Sequence, residues 1–335
     1  MTMSLAVTQP LSIGETLDRG FQLYRAAFLR ILPLSLASAA AGSLATVFRL
    51  TQGRALLEGP PGIGKTVLAR CFAQLLGGTF QRVQCTPDLM PSDLIGVNVW
   101  RADDRRFEWL PGPLFADVVL VDELNRTGPK TQSALLEAME ERMLTVDRER
   151  HALPPDFVVI ATQNPHEFEG TFPLPESQLD RFLLRLRVDH PPAATEVEVL
   201  RAYDRGDGTR EARIAELPVL GRDALEAARQ QAAALHVSDE LYRYVAALAA
   251  ATRAHPAVTV GLSTRGALAL MRCARAAAAL EGSGFVTPDH VKGVAGEVIE
   301  HRLVVTPDAA LEGNTGAQLC QAIVGSVPVP RGGGT

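Results

Sequence analysis

The sequence predicts an α/β core built on a parallel sheet, followed by an all-helical domain. Three observations carry this. Short strand candidates at residues 54–59, 80–85, 117–123, 156–164 and 182–188, that at 117–123 a β-branched run, are separated by stretches of helical periodicity. A glycine-rich loop, GPPGIGKT at residues 59–66, stands between the first such run and a helical one. Beyond DHPPA, residues 189–193, the β-branched runs largely stop and helical patterns continue to about residue 306.

In chain order, the first fifty residues stand apart. ILPLSLASAAAGSLATVF, residues 31–48, carries no charge, and a helix of about 18 residues is at the lower edge of what spans a bilayer. The segment before it sets Leu17, Phe21, Tyr24 and Phe28 at helical spacing among Arg19, Arg25 and Arg30. Such a segment lies at a membrane surface or packs on protein, and both readings stand. A cleaved signal peptide fits poorly, because Glu15 and Asp18 precede the apolar run.

RALLEG (54–59) is a strand candidate that enters the glycine loop, and KTVLARCFAQLLG then reads as a helix ending at Gly77 and Gly78. FQRVQC follows as a strand, VVLVDE as one ending in two carboxylates, and KTQSALLEAMEERML (130–144) as a helix. DFVVIATQN and FLLRLRV complete the strands. Strands alternating with helices imply a parallel sheet whose carboxyl ends carry the ligand. In the second domain, residues 191–306, four helices are expected: ALEAARQQAAALH, DELYRYVAALAAATRAH, TRGALALMRCARAAAALEG and TPDHVKGVAGEVIEHRL, with Ser238 and Thr287 as N-caps. Residues 307–335 are read as an extension ending in a loose tail, PVPRGGGT.

The composition sets limits on function. With 335 residues, 47% of them hydrophobic, the chain buries a large core and is not disordered as a whole. Its 33 basic and 38 acidic residues leave a net charge of -5, which offers no broad attraction for nucleic acid. No distinct basic recognition module appears either, so nucleic acid is not an expected partner. Cys71, Cys85, Cys273 and Cys320 are scattered without CxxC spacing, which suggests neither a zinc site nor a disulfide framework.

GPPGIGKT fills G-x-x-x-x-G-K-[ST] at every position. Gly59, Gly62 and Gly64, with Pro60, Pro61 and Ile63 between them, let successive backbone N–H groups turn inward on phosphates, and the following helix presents its positive end. Lys65 reaches the terminal phosphates as a point charge, and Thr66 places its hydroxyl on Mg2+. Asp122, at the end of a buried strand, is the metal candidate, and Glu123 the group that orients and activates water. Alone, such a pair would be the start of a solvated turn; beside a complete phosphate loop it reads as machinery. Asn164 ends the adjacent strand candidate and can hold the water or a γ-phosphate oxygen, its bland reading being a turn asparagine before Pro165. Arg181 in QLDRF and Arg265 in STRG, with Arg126 in ELNRT behind them, are candidates to neutralise charge that develops during phosphoryl transfer.

From about Gly53 to Leu303 the chain resembles the MoxR family of AAA+ ATPases. The resemblance rests on the ordered strings LLEGPPGIGKTVLAR, TPDLMPSDLIG, FEWLPGPLFADVVLVDELNRTGPKTQSALLEAMEE, VIATQNPHEFEGTFPLPESQLDRFLLRL and LSTRGALALMRCARAAAALEG. It implies an AAA+ P-loop NTPase core over residues 53–190 and a helical lid over 191–306. It also implies ATP and Mg2+ as ligands, with ATP hydrolysis coupled to chaperone-like remodelling or assembly of an unidentified protein client. A homo-oligomeric ring, a hexamer, goes with it, in the cytoplasm or at the inner face of the cell membrane. Residue by residue, Gly59–Thr66 resemble the Walker A loop, Asp122 and Glu123 the Walker B acids, and Asn164 sensor 1. Arg181 resembles the arginine that reaches a neighbouring subunit's nucleotide, and Arg265 the sensor 2 arginine of the lid. PSDLIGVNVWRADDRRFEWLPGP resembles the family's helix 2 insert, and ERMLTVDRERHALPPD the hairpin before sensor 1.

The front end departs from the family. No V-G-Q motif, which would lie against adenine, occurs between Met1 and Gly53. Residues 11–48 instead resemble the start of a bacterial integral-membrane domain associated with glycerophosphodiesterase-like proteins. This departure supports an alternative: a nucleotide-responsive, weakly hydrolysing protein-binding or assembly module, held at a membrane by residues 1–50.

Overall fold

The computed structural model describes residues 53–164, 170–204, 214–217, 219 and 222–330. The expectations for residues 1–50 lie outside this range, as does the end of the chain from residue 331.

Five strands form the core sheet: β1 (Arg54–Glu58), β2 (Phe80–Gln84), β5 (Val118–Asp122), β8 (Val158–Gln163) and β9 (Leu184–Arg187). Their order is β2-β5-β8-β1-β9 and every pairing is parallel. The three central strands read as continuous apolar runs because both sheet faces are covered. Alternation sorts their side chains. Ala55, Leu57, Val118, Leu120, Val158 and Ile160 join one apolar cluster, with Phe72 and Ala73 of α1 (Lys65–Leu76). Leu56, Val119, Val121, Val159 and Ala161 join another, with Leu135, Leu136 and Met139 of α3 (Pro129–Glu141). The first cluster continues into the helical domain through Leu248, Leu270 and Val298.

Both core helices end on left-handed residues. Gly77 (φ 64°) stops α1, a position where glycine carries no Cβ penalty. Arg142 (φ 54°) stops α3, so the stretch expected to be helical to residue 144 turns at Met143 into a strand.

Two hairpins project from the sheet. A short helix α2 (Pro91–Ile95) leads into β3 (Gly96–Arg101) and β4 (Arg106–Pro111), which pair antiparallel. Met143–Val146 (β6) and Glu149–Ala152 (β7) form the second hairpin, turned by Asp147 and Arg148 at φ 46° and 76°. The hairpins touch: the Trp109 ring stacks on His151 at 3.9 Å, and Asn98 Nδ2 donates to Asp147 Oδ2 at 2.6 Å.

A short helix α4 (Glu176–Leu179) precedes β9, and after β9 come α5 (Ala193–Asp204), α6 (Arg222–Ala234), α7 (Asp239–Ala254) and α8 (Thr264–Leu280). Ser238 caps α7 by accepting from Leu241 N, and Thr287 caps α9 (Pro288–Gly293) by accepting from His290 N, as the sequence predicts. The single helix expected over 287–303 is three pieces: α9, α10 (Ala295–Ile299) and a 3-10 turn at Glu300–Arg302. Val294, at φ −113° and ψ 1°, breaks it between Gly293 and Gly296, residues of low helical preference. Beyond this bend, β11 (Val304–Val305) pairs antiparallel with β10 (Val258–Val260). Residues 307–326 carry α11 (Pro307–Leu311) and α12 (Gly316–Ser326), and Leu319, Cys320 and Ile323 of α12 join the lid's apolar cluster. Among the described residues, no helix is long and apolar enough to cross a membrane.

Candidate functional site

The loop 59–66 leaves the carboxyl end of β1 and enters α1, and its glycines have separate geometric tasks. A Cβ on Gly59 would stand 2.1 Å from the Val188 carbonyl oxygen, so only glycine lets the loop pass β9 there. Gly62 (φ 83°) and Gly64 (φ 89°) hold left-handed turns that L side chains rarely adopt, and a Cβ on Gly62 would meet open space. The loop therefore has an open, backbone-lined surface at the amino end of a 12-residue helix, which fits a polyphosphate. Lys65 Nζ donates to Gly59 O at 2.6 Å. Burial lowers the Lys65 pKa, and the negative charges of Asp122 and Glu123 oppose that shift. Lysine and acids thus share one electrostatic neighbourhood. Thr66 is the second residue of α1, beside them.

Asp122 ends β5, and its carboxylate is fixed from two sides. Thr162 Oγ1 donates to Oδ1 at 2.5 Å, and Arg82 donates to Oδ2 at 2.6 Å from β2. The same Thr162 oxygen accepts from Glu123 N at 2.9 Å, holding Glu123 in a left-handed conformation (φ 58°) just past the strand. Glu123 Oε2 accepts from Gln84 Nε2 at 2.9 Å and pairs with Arg126 Nε at 3.2 Å. Asn164 directly follows β8, and β8 lies between β5 and β1 in the sheet. It is therefore placed between the acidic pair and the phosphate loop.

The two distal arginines sit elsewhere. Arg181 Nε lies 3.3 Å from Glu140 Oε2, and Arg265 pairs with the other oxygen of the same carboxylate. Arg54, at the amino end of β1, donates from Nη1 to Arg181 O at 3.2 Å. The arginine pair thus occupies the amino ends of the strands, whereas the phosphate loop occupies the carboxyl ends. Four residue steps along β1 separate these edges by about 13 Å at about 3.3 Å per residue. Their side chains are about one-third and one-half exposed, respectively.

Thr162, Arg82, Gln84 and Glu140 were not singled out from the sequence. Thr162 stands inside a recognised string, VIATQN, two residues before Asn164, and Arg82 and Gln84 alternate along the strand candidate FQRVQC; alternation along their strands is the signal that could have aimed them at the site. Glu140 has no comparable local signal.

This architecture, with a phosphate loop, paired acids and a polar residue on the strand between them, defines an AAA-type P-loop ATPase. Residues 54–184 match the ATPase family associated with various cellular activities (AAA), and residues 250–323 match the AAA lid domain. The chain is 41% identical over 281 residues to the uncharacterized protein YeaC of Bacillus subtilis, covering 84% of this chain and 87% of that one. It is 37% identical to the chaperone MoxR1 of Mycobacterium tuberculosis, covering 84% and 76% respectively. A crystal structure from Cytophaga hutchinsonii, assigned as an ATPase, superposes with a TM-score of 0.84 at 30% identity, over 95% of this chain and 98% of that one. The chain belongs to the MoxR family of AAA+ ATPases.

Proposed function

We propose that the protein hydrolyses ATP with Mg2+ and uses the cycle to remodel or assemble a protein client within a homo-oligomeric ring. The observation that carries the catalytic part is the meeting of Lys65, Asp122 and Glu123 at one sheet edge, with Asn164 on the strand between loop and acids. Backbone N–H groups of residues 59–66 and Lys65 bind the triphosphate. Thr66 and Asp122 are the residues that would hold Mg2+, which would supply charge to polarise the phosphate oxygens. Glu123 takes the proton of the attacking water, which Asn164 helps to orient. Arg181 serves the nucleotide of a neighbouring copy from the opposite edge, as the resemblance implies; Arg265, expected from the sequence to report nucleotide state to the lid, shares Glu140 with Arg181 there and acts with it on that neighbouring nucleotide instead. The two linked hairpins are the surfaces that meet the client, a reading supported by exposed Trp100 and Phe107 on the first of them. The chaperone name of a relative, MoxR1, agrees with this.

Glu123→Gln is the direct test. Steady-state phosphate release should fall by about 100-fold or more, the scale of a lost general base, while ATP binding measured by calorimetry persists. Unchanged hydrolysis would remove Glu123 from the mechanism. Slow release in the native protein, with tight binding of both ATP and a nonhydrolysable analogue, would favour the weakly hydrolysing assembly module.

A further inference from the structure

The junction between core and lid contains an arginine that the mechanism above does not use. Arg302, with its side chain 2% exposed, directs Nε, Nη1 and Nη2 at the turn that carries Arg181, and Nη1 also at α10, the helix before Arg302 itself. Its Nε donates to Asp180 Oδ1 at 2.7 Å; Nη2 donates to Asp180 O at 3.2 Å and to Phe182 O; Nη1 donates to Leu183 O at 3.3 Å and to Val298 O. Residues 180, 182 and 183 are all held, which leaves Arg181 clamped from both sides.

The same guanidinium also reaches the segment that carries Arg265. Ser263, which caps α8 by accepting from Gly266 N at 3.0 Å, donates its hydroxyl to the Asp180 carboxylate at 3.0 Å. A Cβ on Gly266 would lie 2.8 Å from Arg302 Cδ and 2.4 Å from Leu262 Cδ1, so the first turn of α8 packs directly on the Arg302 side chain. Both ends of this arrangement then emerge at one place, where Arg181 and Arg265 share Glu140.

We propose that Arg302 is a positioning residue which, through Asp180 and Ser263, locks Arg181 of the core and Arg265 of the lid into a single anion-binding fork. The fork's ligand is the terminal phosphate of a nucleotide held by a second copy of this chain; this clause rests on the cross-subunit reading above. Glu140 balances the two charges until the phosphate competes for them. The bend at Val294 brings Arg302 back to the core, so the broken helix of the lid is part of the same device. A planar guanidinium is required, because a lysine ammonium offers three donors from one point and cannot span these separate acceptors.

The test uses mixed assemblies of full-length chains, with co-assembly verified by two affinity tags. A Glu123→Gln copy has a dead site and an intact fork. A copy with Arg181→Ala and Arg265→Ala has an intact site and no fork. Their mixture should hydrolyse ATP at the composite sites. Arg302→Lys added to the fork-donating copy should lower that activity by about 100-fold, the scale for misplaced catalytic groups. In the other copy it should change nothing. The nucleotide Kd of the Arg302→Lys chain alone should equal that of the native chain, since its own phosphate loop lies at the far edge of the sheet. Ser263→Ala, which removes one hydroxyl and leaves Arg302 in place, should cause a smaller loss on the donating side alone. Loss from both sides for both variants, or from neither side, overturns the proposal. A silent parental mixture overturns the cross-subunit reading and this inference together.

Discussion

Replacing Thr162 by valine removes one oxygen and almost no volume, yet that oxygen joins both carboxylate residues proposed for metal binding and catalysis. It donates to Asp122 Oδ1 at 2.5 Å and accepts from Glu123 N at 2.9 Å, and Thr162 is 0% exposed. A hydrogen bond to a charged group contributes about 1.5–3 kcal/mol, and a typical neutral one about 1 kcal/mol. Thr162→Val is therefore expected to lower unfolding stability by about 2–4 kcal/mol, read as a shift in urea midpoint at constant slope. Catalysis should suffer separately. Without its anchor, Glu123 is free to leave the left-handed conformation at φ 58°, so kcat should fall more than KM rises. Thr162→Ser keeps the hydroxyl and should restore most of both properties. A valine variant with native midpoint and native kcat would refute the claim that this hydroxyl organises the acids.

The remaining expectations concern buried titratable groups. Burial raises the Cys71 thiol to a pKa of about 11 and those of Cys85, Cys273 and Cys320 to about 12, so none should react with a disulfide reagent at pH 8 until urea unfolds the chain. Rapid modification of any thiol in the native protein would contradict this. Burial first, then the positive charges of Arg302 and Arg185, hold His301 well below the usual 6.5. The unfolded chain therefore takes up the proton first as pH falls: the contribution is complete above the unfolded pKa and declines below it by up to about 1.4 kcal/mol per pH unit. Comparing urea midpoints at pH 7.5 and pH 5 should show a weaker acid loss in His301→Gln than in the native protein, and equal losses would exclude His301 as a contributor.

The parts of this molecule that are legible in the sequence are those whose physics is local. The phosphate loop needs its glycines and lysine within eight consecutive positions, and Asp122 and Glu123 are announced by the apolar strand they terminate. The central strands β5 and β8 likewise show as β-branched runs, and β1 as a short apolar one. What the sequence hid lies in pairings across long separations: Thr162 meets Asp122 across 40 residues, and Arg302 meets Asp180 across 122. An arginine in a helical pattern gives no sign of such burial. The break at Val294 was hidden for a related reason. Helical periodicity continues through residues 287–303, and only packing against the core decides that the chain bends there.

The apolar cluster that passes from one sheet face into the helical domain limits how this machine can move. Hinging the lid away as a separate body would carry α10 and the 3-10 turn Glu300–Arg302 off β9, against which they pack, and wet the apolar cluster that runs through both domains. In the ring proposed above, displacements driven by ATP turnover should therefore spread as small tilts of a whole protomer against its neighbours, with the seams between copies bearing most of the flexing.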